Sequence, residues 1–333
     1  MSDTSISAKA SLADPAERKR LMSGVGAEPG SAKPDSILDV DHIVRQFGGI
    51  TAVDVEHLEV QRGIITALIG PNGAGKTTFF NLITGFDKPS SSGRGGNAHW
   101  SFDGRTIDRT SASKVAKSGM VRTFQLTKAL SRMTVIENMM LGAQNQAGEN
   151  LAKSLFKPFW GAQEREIEAK ATELLKRFSL DEKRNDFAGS LSGGQRKLLE
   201  MARALMSDPK MIMLDEPMAG VNPALTQSLL GHIQSLRDDG MTVLFVEHDM
   251  HVVRHISDWV VVMAEGRIVA EGTPGVVMDD PAVIDAYLGA HHDVDLGTLT
   301  GQMAIAEDME SALVHEELEE EAEEEAAKEV KGK

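Results

Sequence analysis

The sequence predicts an α/β fold: a parallel sheet threaded with helices, preceded by a β-rich lobe and interrupted by a mostly helical subdomain. Three observations predict it. A nearly all-apolar run, Ile64–Ile69, ends in a glycine-rich stretch, Gly70–Thr78, followed by the helical pattern Phe79-Phe80-Asn81-Leu82-Ile83. Further on, short apolar runs alternate with helical patterns and end in polar pairs, Asp215-Glu216 and Glu247-His248. Between these halves, residues 132–189 switch to helical spacing.

The glycine-rich stretch carries the first chemistry. Gly70-Pro71-Asn72-Gly73-Ala74-Gly75-Lys76-Thr77-Thr78 fits G-x-x-x-x-G-K-[ST] between a buried strand and a helix start, the context in which that pattern means a phosphate-binding loop. Gly70, Gly73 and Gly75 let successive backbone N–H groups turn inward around phosphate oxygens, and Asn72 and Thr78 complete the loop. Lys76 places a positive charge near the β/γ phosphates, and the Thr77 hydroxyl is positioned to ligate Mg²⁺. A glycine-rich turn with a surface lysine is the rival reading; it gives no reason for the flanking strand and helix.

Bulk properties narrow the class. The chain has 333 residues and no cysteine, which excludes a disulfide scaffold, a cysteine nucleophile and Cys-ligated metal, and suits a reducing, cytoplasmic setting. No apolar run approaches a membrane span, and the N-terminus does not read as a signal peptide. Of the net charge of -15, twelve acids and three lysines fall in Glu307–Lys333. The remaining body is only modestly acidic and gives no electrostatic support to nucleic-acid binding.

In chain order, residues 1–36 are polar and read as a disordered leader with a short possible helix near Pro15–Met22. Strands are expected at Ile37–Phe47 and Thr51–Val60, joined by the Gly48-Gly49 turn. Phe47 has two readings, a core residue or a ring that stacks on a nucleobase. Pro89–His99 is a polar, glycine-rich surface loop, after which Trp100–Phe102 resumes the sheet. Val121–Gln125 reads as a short strand running toward Gln125, whose amide either approaches a metal or attacking water or is structural. Thr134 caps a helix to Leu141 with Glu137 three residues on, and Ala162–Phe178 is a long charged helix. The second half gives strands at Met211–Leu214, Thr242–Val246, Trp259–Met263 and Arg267–Ala270, with a helix at Leu225–Asp238 closed by Gly240. The acidic segment 291–333 has helix-forming residues without an apolar stripe and reads as a marginal helix or disordered tail.

Open α/β sheets place their chemistry at the carboxyl ends of strands, where Asp215, Glu216 and His248 fall. Asp215 is the expected holder of Mg²⁺ once a phosphate loop is present. Glu216 is placed to orient or deprotonate a water attacking the γ-phosphate. His248 is either a γ-phosphate contact or a structural histidine. Leu191-Ser192-Gly193-Gly194-Gln195 precedes a helix and forms a second anion site. Two phosphate-binding devices in one chain make sense in a dimer, with each nucleotide between the Gly70–Thr78 loop of one subunit and the Leu191–Gln195 loop of the other.

The set GPNGAGKTT (70–78), Gln125, LSGGQ (191–195), MIMLDEP (211–217) and His248 resembles the ATP-binding subunits of ABC transporters, over residues 37–290. The resemblance implies a P-loop NTPase core of the ABC ATPase type, with the helical subdomain at about 132–200. It also implies ATP and Mg²⁺ as ligands and a translocase-coupled ATPase activity. It gives Gln125 the role of metal and water sensor, and gives Ser192 and Gly194 that of closing on the partner's γ-phosphate. Asp215 supports Mg²⁺, Glu216 is the catalytic carboxylate, His248 the switch histidine, and Phe47 the aromatic that stacks on adenine. Asn222 stands where many members carry aspartate, and the insertion at Ser90–His99 is longer than usual.

Within that superfamily, Phe47-Gly48-Gly49, Asn81–Gly85, Val121–Gln125, Ala219–Pro223, Val246–Met250 and Tyr287-Leu288-Gly289 are similar to the larger ATPase subunit of branched-chain amino acid importers. This implies a second ATPase chain, two integral membrane permease subunits, an extracytoplasmic substrate-binding protein and a peripheral place on the inner face of the membrane. Urea and short-chain amide importers share much of the pattern. An exporter ATPase and a soluble ABC ATPase are the readings from other classes; the single set of motifs and the short helical segment speak against the second.

Overall fold

The computed structural model describes residues 14–90, 97–123, 131–144 and 161–289. The chain divides into two units, residues 1–286 and 287–333, and the fold described here is that of the first.

The first element is helix α1 (Pro15–Ser23), whose N-terminus is capped by the Asp14 carboxylate, with proline in the first turn. Composition leads one to expect a disordered leader; the structure differs for residues 14–36. Arg18 and Met22 are buried, and Arg18 pairs with Asp238 at 3.2 Å and Asp258 at 3.4 Å. Lys33 Nζ lies 2.9 Å from Glu271 Oε2, both side chains fully buried, and 4.9 Å from the centre of the Trp259 ring. A few long side chains do the anchoring while the segment as a whole stays polar, so a compositional average misses it. Residues 1–13 lie outside the described residues.

Strands β1 (Ser36–Phe47) and β2 (Ile50–Gln61) form a long antiparallel hairpin. Strand β3 (Ile65–Ile69) leads through the glycine-rich loop into helix α2 (Lys76–Ile83). Strands β4 (His99–Phe102) and β5 (Arg105–Thr106) complete a four-stranded sheet of order β2-β1-β4-β5. Helix α3 (Ala112–Lys117) and strand β6 (Met120–Arg122) follow. The strand expected to continue to Gln125 ends at Arg122; Gln125, and residues 91–96 of the Ser90–His99 loop, lie outside the described residues.

The helical subdomain contains α4 (Val135–Met140), α5 (Gly161–Arg177) and α6 (Gly193–Leu205). Thr134 and Glu137 make the capping box that their spacing predicts. The Val135 N–H donates to the Asp186 carbonyl at 3.0 Å, which ties the start of α4 to the segment leading into α6.

The chain then returns to strand–helix alternation with β7 (Met211–Asp215), α7 (Pro223–Asp238), β8 (Thr242–Val246), α8 (Met250–Ile256), β9 (Trp259–Ala264) and β10 (Arg267–Gly272). Helices α9 (Pro274–Met278) and α10 (Pro281–Gly289) follow. The second sheet has the order β10-β9-β3-β8-β7-β6; β10 runs antiparallel to β9 and the other pairings are parallel. Its central strands β3, β8 and β9 are buried at every residue, as parallel strands covered on both faces must be. One apolar core spans both sheets: Ile43, Val53 and Trp100 of the first meet Phe79 and Phe80 of α2 and Leu68 and Val261 of the second. Among the described residues, no helix is long and apolar enough to cross a membrane.

Candidate nucleotide-binding site

The site is built at the carboxyl end of β3. Gly70 leaves that strand at φ +149°, and a Cβ there would lie 2.0 Å from the Met263 carbonyl oxygen. Gly75 sits at φ +100°, where a Cβ would lie 2.3 Å from the Ala52 carbonyl oxygen. Both glycines are fixed by backbone packing as well as by the turn. The Gly266 N–H donates to the Ala74 carbonyl at 3.0 Å, pinning the loop to the β9–β10 turn. Asn72, Gly73 and Thr77 are exposed on the outer side and Thr78 is half-buried.

Lys76 Nζ folds back to donate to the carbonyls of Gly70 at 2.7 Å and Pro71 at 3.0 Å. Burial lowers its proton affinity, and the nearby Glu216 and Asp215 carboxylates oppose that. Lys76, Asp215 and Glu216, distant in sequence, thus lie near enough to act on one another electrostatically, while the hydrogen bonds of Lys76 Nζ go to its own loop.

Asp215 ends β7, and its Oδ2 accepts from Arg122 Nη2 at 2.5 Å. The other terminal nitrogen of Arg122 donates to Asn81 Oδ1 of α2 at 2.6 Å, and its guanidinium lies 5.4 Å from the centre of the Phe80 ring. Glu216 stands at φ +47°, in the left-handed region where a side chain is strained. Its N–H donates to the Val246 carbonyl at 3.0 Å and its own carbonyl accepts from Lys197 Nζ at 3.0 Å. The backbone around Glu216 is thus held from β8 on one side and α6 on the other.

Glu247 is buried and accepts from the N–H groups of Met218 at 3.0 Å and His248 at 3.3 Å. Burial raises its carboxyl above the usual range, against those two hydrogen bonds and His248. His248 itself is exposed at the rim, with Nδ1 3.8 Å from Glu247.

Ser192 caps α6: its Oγ accepts from the Gln195 N–H at 3.2 Å, and Gln195 Oε1 accepts from the Ser192 N–H at 3.0 Å. Gly194 is buried, and a Cβ on it would lie 2.8 Å from Leu225 Cδ1 of α7. Among the described residues, no hydrogen bond joins Ser192 or Gly194 to the phosphate loop of the same chain. Asn222, the departure from aspartate, caps α7 by accepting from the Leu225 N–H at 2.9 Å.

Phe47 is 48% exposed, so the core reading fails. The Arg45 guanidinium covers its ring at 4.4 Å and pairs with Asp87 at 2.9 Å. Sequence reasoning passed over the part Arg122, Arg45 and Lys197 play. Their patterns are unremarkable, and a charged residue three positions before a glutamine gives no hint that it will be buried against an aspartate 93 residues later.

A glycine-rich loop with its lysine between a buried strand and a helix, a strand-end Asp-Glu pair, and an α/β core with an inserted helical subdomain together define an ATP-binding cassette. The ABC transporter family model matches residues 53–219, and the chain belongs to that family. A second model, the branched-chain amino acid ATP-binding cassette transporter, matches residues 267–293. The chain is 42% identical over 255 residues to the high-affinity branched-chain amino acid transport ATP-binding protein BraF of Pseudomonas aeruginosa, covering 76% of this chain and 98% of the relative. It is 40% identical over 257 residues to the probable branched-chain amino acid transport ATP-binding protein LivG of Methanocaldococcus jannaschii, covering 76% and 97%. Among solved structures, a nucleotide-free ATP-binding cassette from an ABC transporter superposes with a TM-score of 0.65 at 39% identity, covering 76% of this chain and 98% of that one. The fold is the P-loop ABC ATPase fold, and the chain is a transport-coupled ATPase subunit homologous to those of branched-chain amino acid importers.

Proposed function

We propose that this chain powers uptake of branched-chain amino acids by hydrolysing ATP at the cytoplasmic face of an importer. The match of residues 267–293 to the branched-chain amino acid model carries the substrate class, and the relatives' names agree with it. Its partners in this reading are a second ATPase chain, two integral membrane permease subunits and, through them, an extracytoplasmic binding protein. A groove of about 350 Å³ between β6 and the helical subdomain, lined by Val121, Thr123, Leu141, Gly142 and Arg203, is the place where a permease docks.

In the catalytic reading, ATP lies on the phosphate loop with its adenine against Phe47. Gly70, Asn72, Gly73, Gly75, Lys76, Thr77 and Thr78 hold the phosphates. Thr77, Asp215 and Gln125 would hold Mg²⁺ through oxygen donors of the kind a hard cation takes, and the ion would supply charge neutralisation at the phosphates. Glu216 orients the attacking water and accepts its proton as the water oxygen bonds to the γ-phosphorus and the bond to the β–γ bridging oxygen breaks, releasing ADP and phosphate. His248 contacts the γ-phosphate from the rim. Ser192 and Gly194 serve the nucleotide of the other ATPase chain; among the described residues, neither makes a hydrogen bond to the loop of its own chain.

The test is reconstitution with the permease pair and its binding protein, followed by uptake of labelled leucine, urea and acetamide. ATP-dependent leucine uptake that is lost in E216Q supports the reading. Uptake of urea or acetamide alone overturns the substrate class, and efflux overturns the direction.

A further inference from the structure

The buried Arg122 fork does more than fill space. Its side chain is 6% exposed, and it spans two elements of the nucleotide site, Asn81 on the phosphate-loop helix and Asp215 at the end of β7. It also stands at the end of β6, directly before the segment that carries Gln125.

We infer that Arg122 is a positioning residue for the metal-binding carboxylate: it clamps Asp215 Oδ2 and so turns the other oxygen toward the metal. The inference rests on the proposed role of Asp215 in holding Mg²⁺. A carboxylate has two oxygens, and the guanidinium takes one of them by a charge-assisted hydrogen bond of fixed direction. Asn81 and the Phe80 face fix the guanidinium in turn. The competing cation is Lys76, on which Asp215 already acts electrostatically. Without Arg122, Asp215 turns toward Lys76, and both groups leave the places from which they serve metal and phosphate.

The test uses the full-length chain and a fluorescent ATP analogue, titrated with Mg²⁺ and separately in EDTA. Mn²⁺ binding to the nucleotide complex, followed by electron paramagnetic resonance, gives a second readout that does not involve turnover. R122M is expected to bind the analogue within about twofold of wild type in EDTA, yet to need at least fivefold more Mg²⁺ for half-saturation, with the Mn²⁺ affinity falling in step. In a D215N background, R122M is expected to add nothing, because the clamp then has no carboxylate to orient. Should R122M lose its cooperative thermal transition, R122K carries the same test: it keeps a cation but cannot span Asn81 and Asp215 as a fork, and a shift of at least threefold is expected. An unchanged metal requirement in the folded variant, or a full additional loss in the D215N background, overturns the positioning role. If D215N alone leaves the metal requirement unchanged, the underlying reading of Asp215 fails instead.

Discussion

Replacing Lys33 by methionine puts the N-terminal segment to a quantitative test. Lys33 and Glu271 are both fully enclosed, and methionine keeps most of the side-chain volume while removing the charge. Removing one partner of a buried ion pair costs about 3–5 kcal/mol, since the other charge is left without compensation. Here Glu271 keeps two donors, the Ser31 N–H at 2.7 Å and Trp259 Nε1 at 2.8 Å, which places the loss near the lower figure, about 3 kcal/mol. For a folded unit of this size that is a fall in Tm of roughly 5 °C. Differential scanning calorimetry at two scan rates separates an equilibrium shift from a kinetic one. K33M/E271Q is expected to regain only part of the loss: the buried charge is gone, but Ser31 and Trp259 donate to different oxygens of Glu271, and an amide offers one accepting oxygen and turns its NH2 toward the other donor. A fall in Tm below about 2 °C for K33M would mean that the segment does not enclose Glu271, and the account of residues 14–36 would fall with it.

Three further outcomes are expected. E216Q should bind ATP normally while hydrolysis drops on the order of 10²-fold or more, read from single-turnover phosphate release; unchanged turnover removes the carboxylate from the chemistry. G75A should weaken binding of a fluorescent ATP analogue by roughly tenfold or more, because an alanine at φ +100° faces the Ala52 carbonyl and backbone strain of about 1–3 kcal/mol distorts the loop; near-normal affinity would show that the loop tolerates a Cβ. Burial works against protonation of His57, but its hydrogen bond with Asp41 at 2.7 Å and the neighbouring acids outweigh it, so its pKa lies above 6.5. Stability from His57 is then fully present below about pH 6.5 and lost as pH rises through the folded-state value; an NMR titration midpoint at or below 6.5 would contradict the pairing.

Much of the fold was legible because its signals are local. The buried strands β3, β8 and β9 read as apolar runs, and their ends fell within a residue or so of the expected ones. The Thr134–Glu137 cap was visible for the same reason, since its partners are three residues apart. The strand–loop–helix geometry around Gly70–Thr78 was legible because its spacing defines it. What stayed hidden depends on distant partners. Arg18, Lys33 and Arg122 look like ordinary surface cations until acids at 238, 258, 271 and 215 are folded around them. The resemblance gave Gly194 a part in closing on the partner's nucleotide; that its missing side chain also lets α6 pack close to Leu225 shows only in the fold. Periodicity reports which face is buried, and carries no word on which charge will be buried with it.

The posture of Lys76 has a consequence for how ligand is received. Its ammonium rests on two carbonyls of its own loop, so the loop's curvature is braced from within. On the proposed reading, little chain entropy is lost when a polyphosphate arrives, and the ammonium has only to exchange one set of oxygens for another. Capture then behaves as a swap of partners on a ready cradle, with association limited by encounter and dissociation set by how well two carbonyls compete for the released cation.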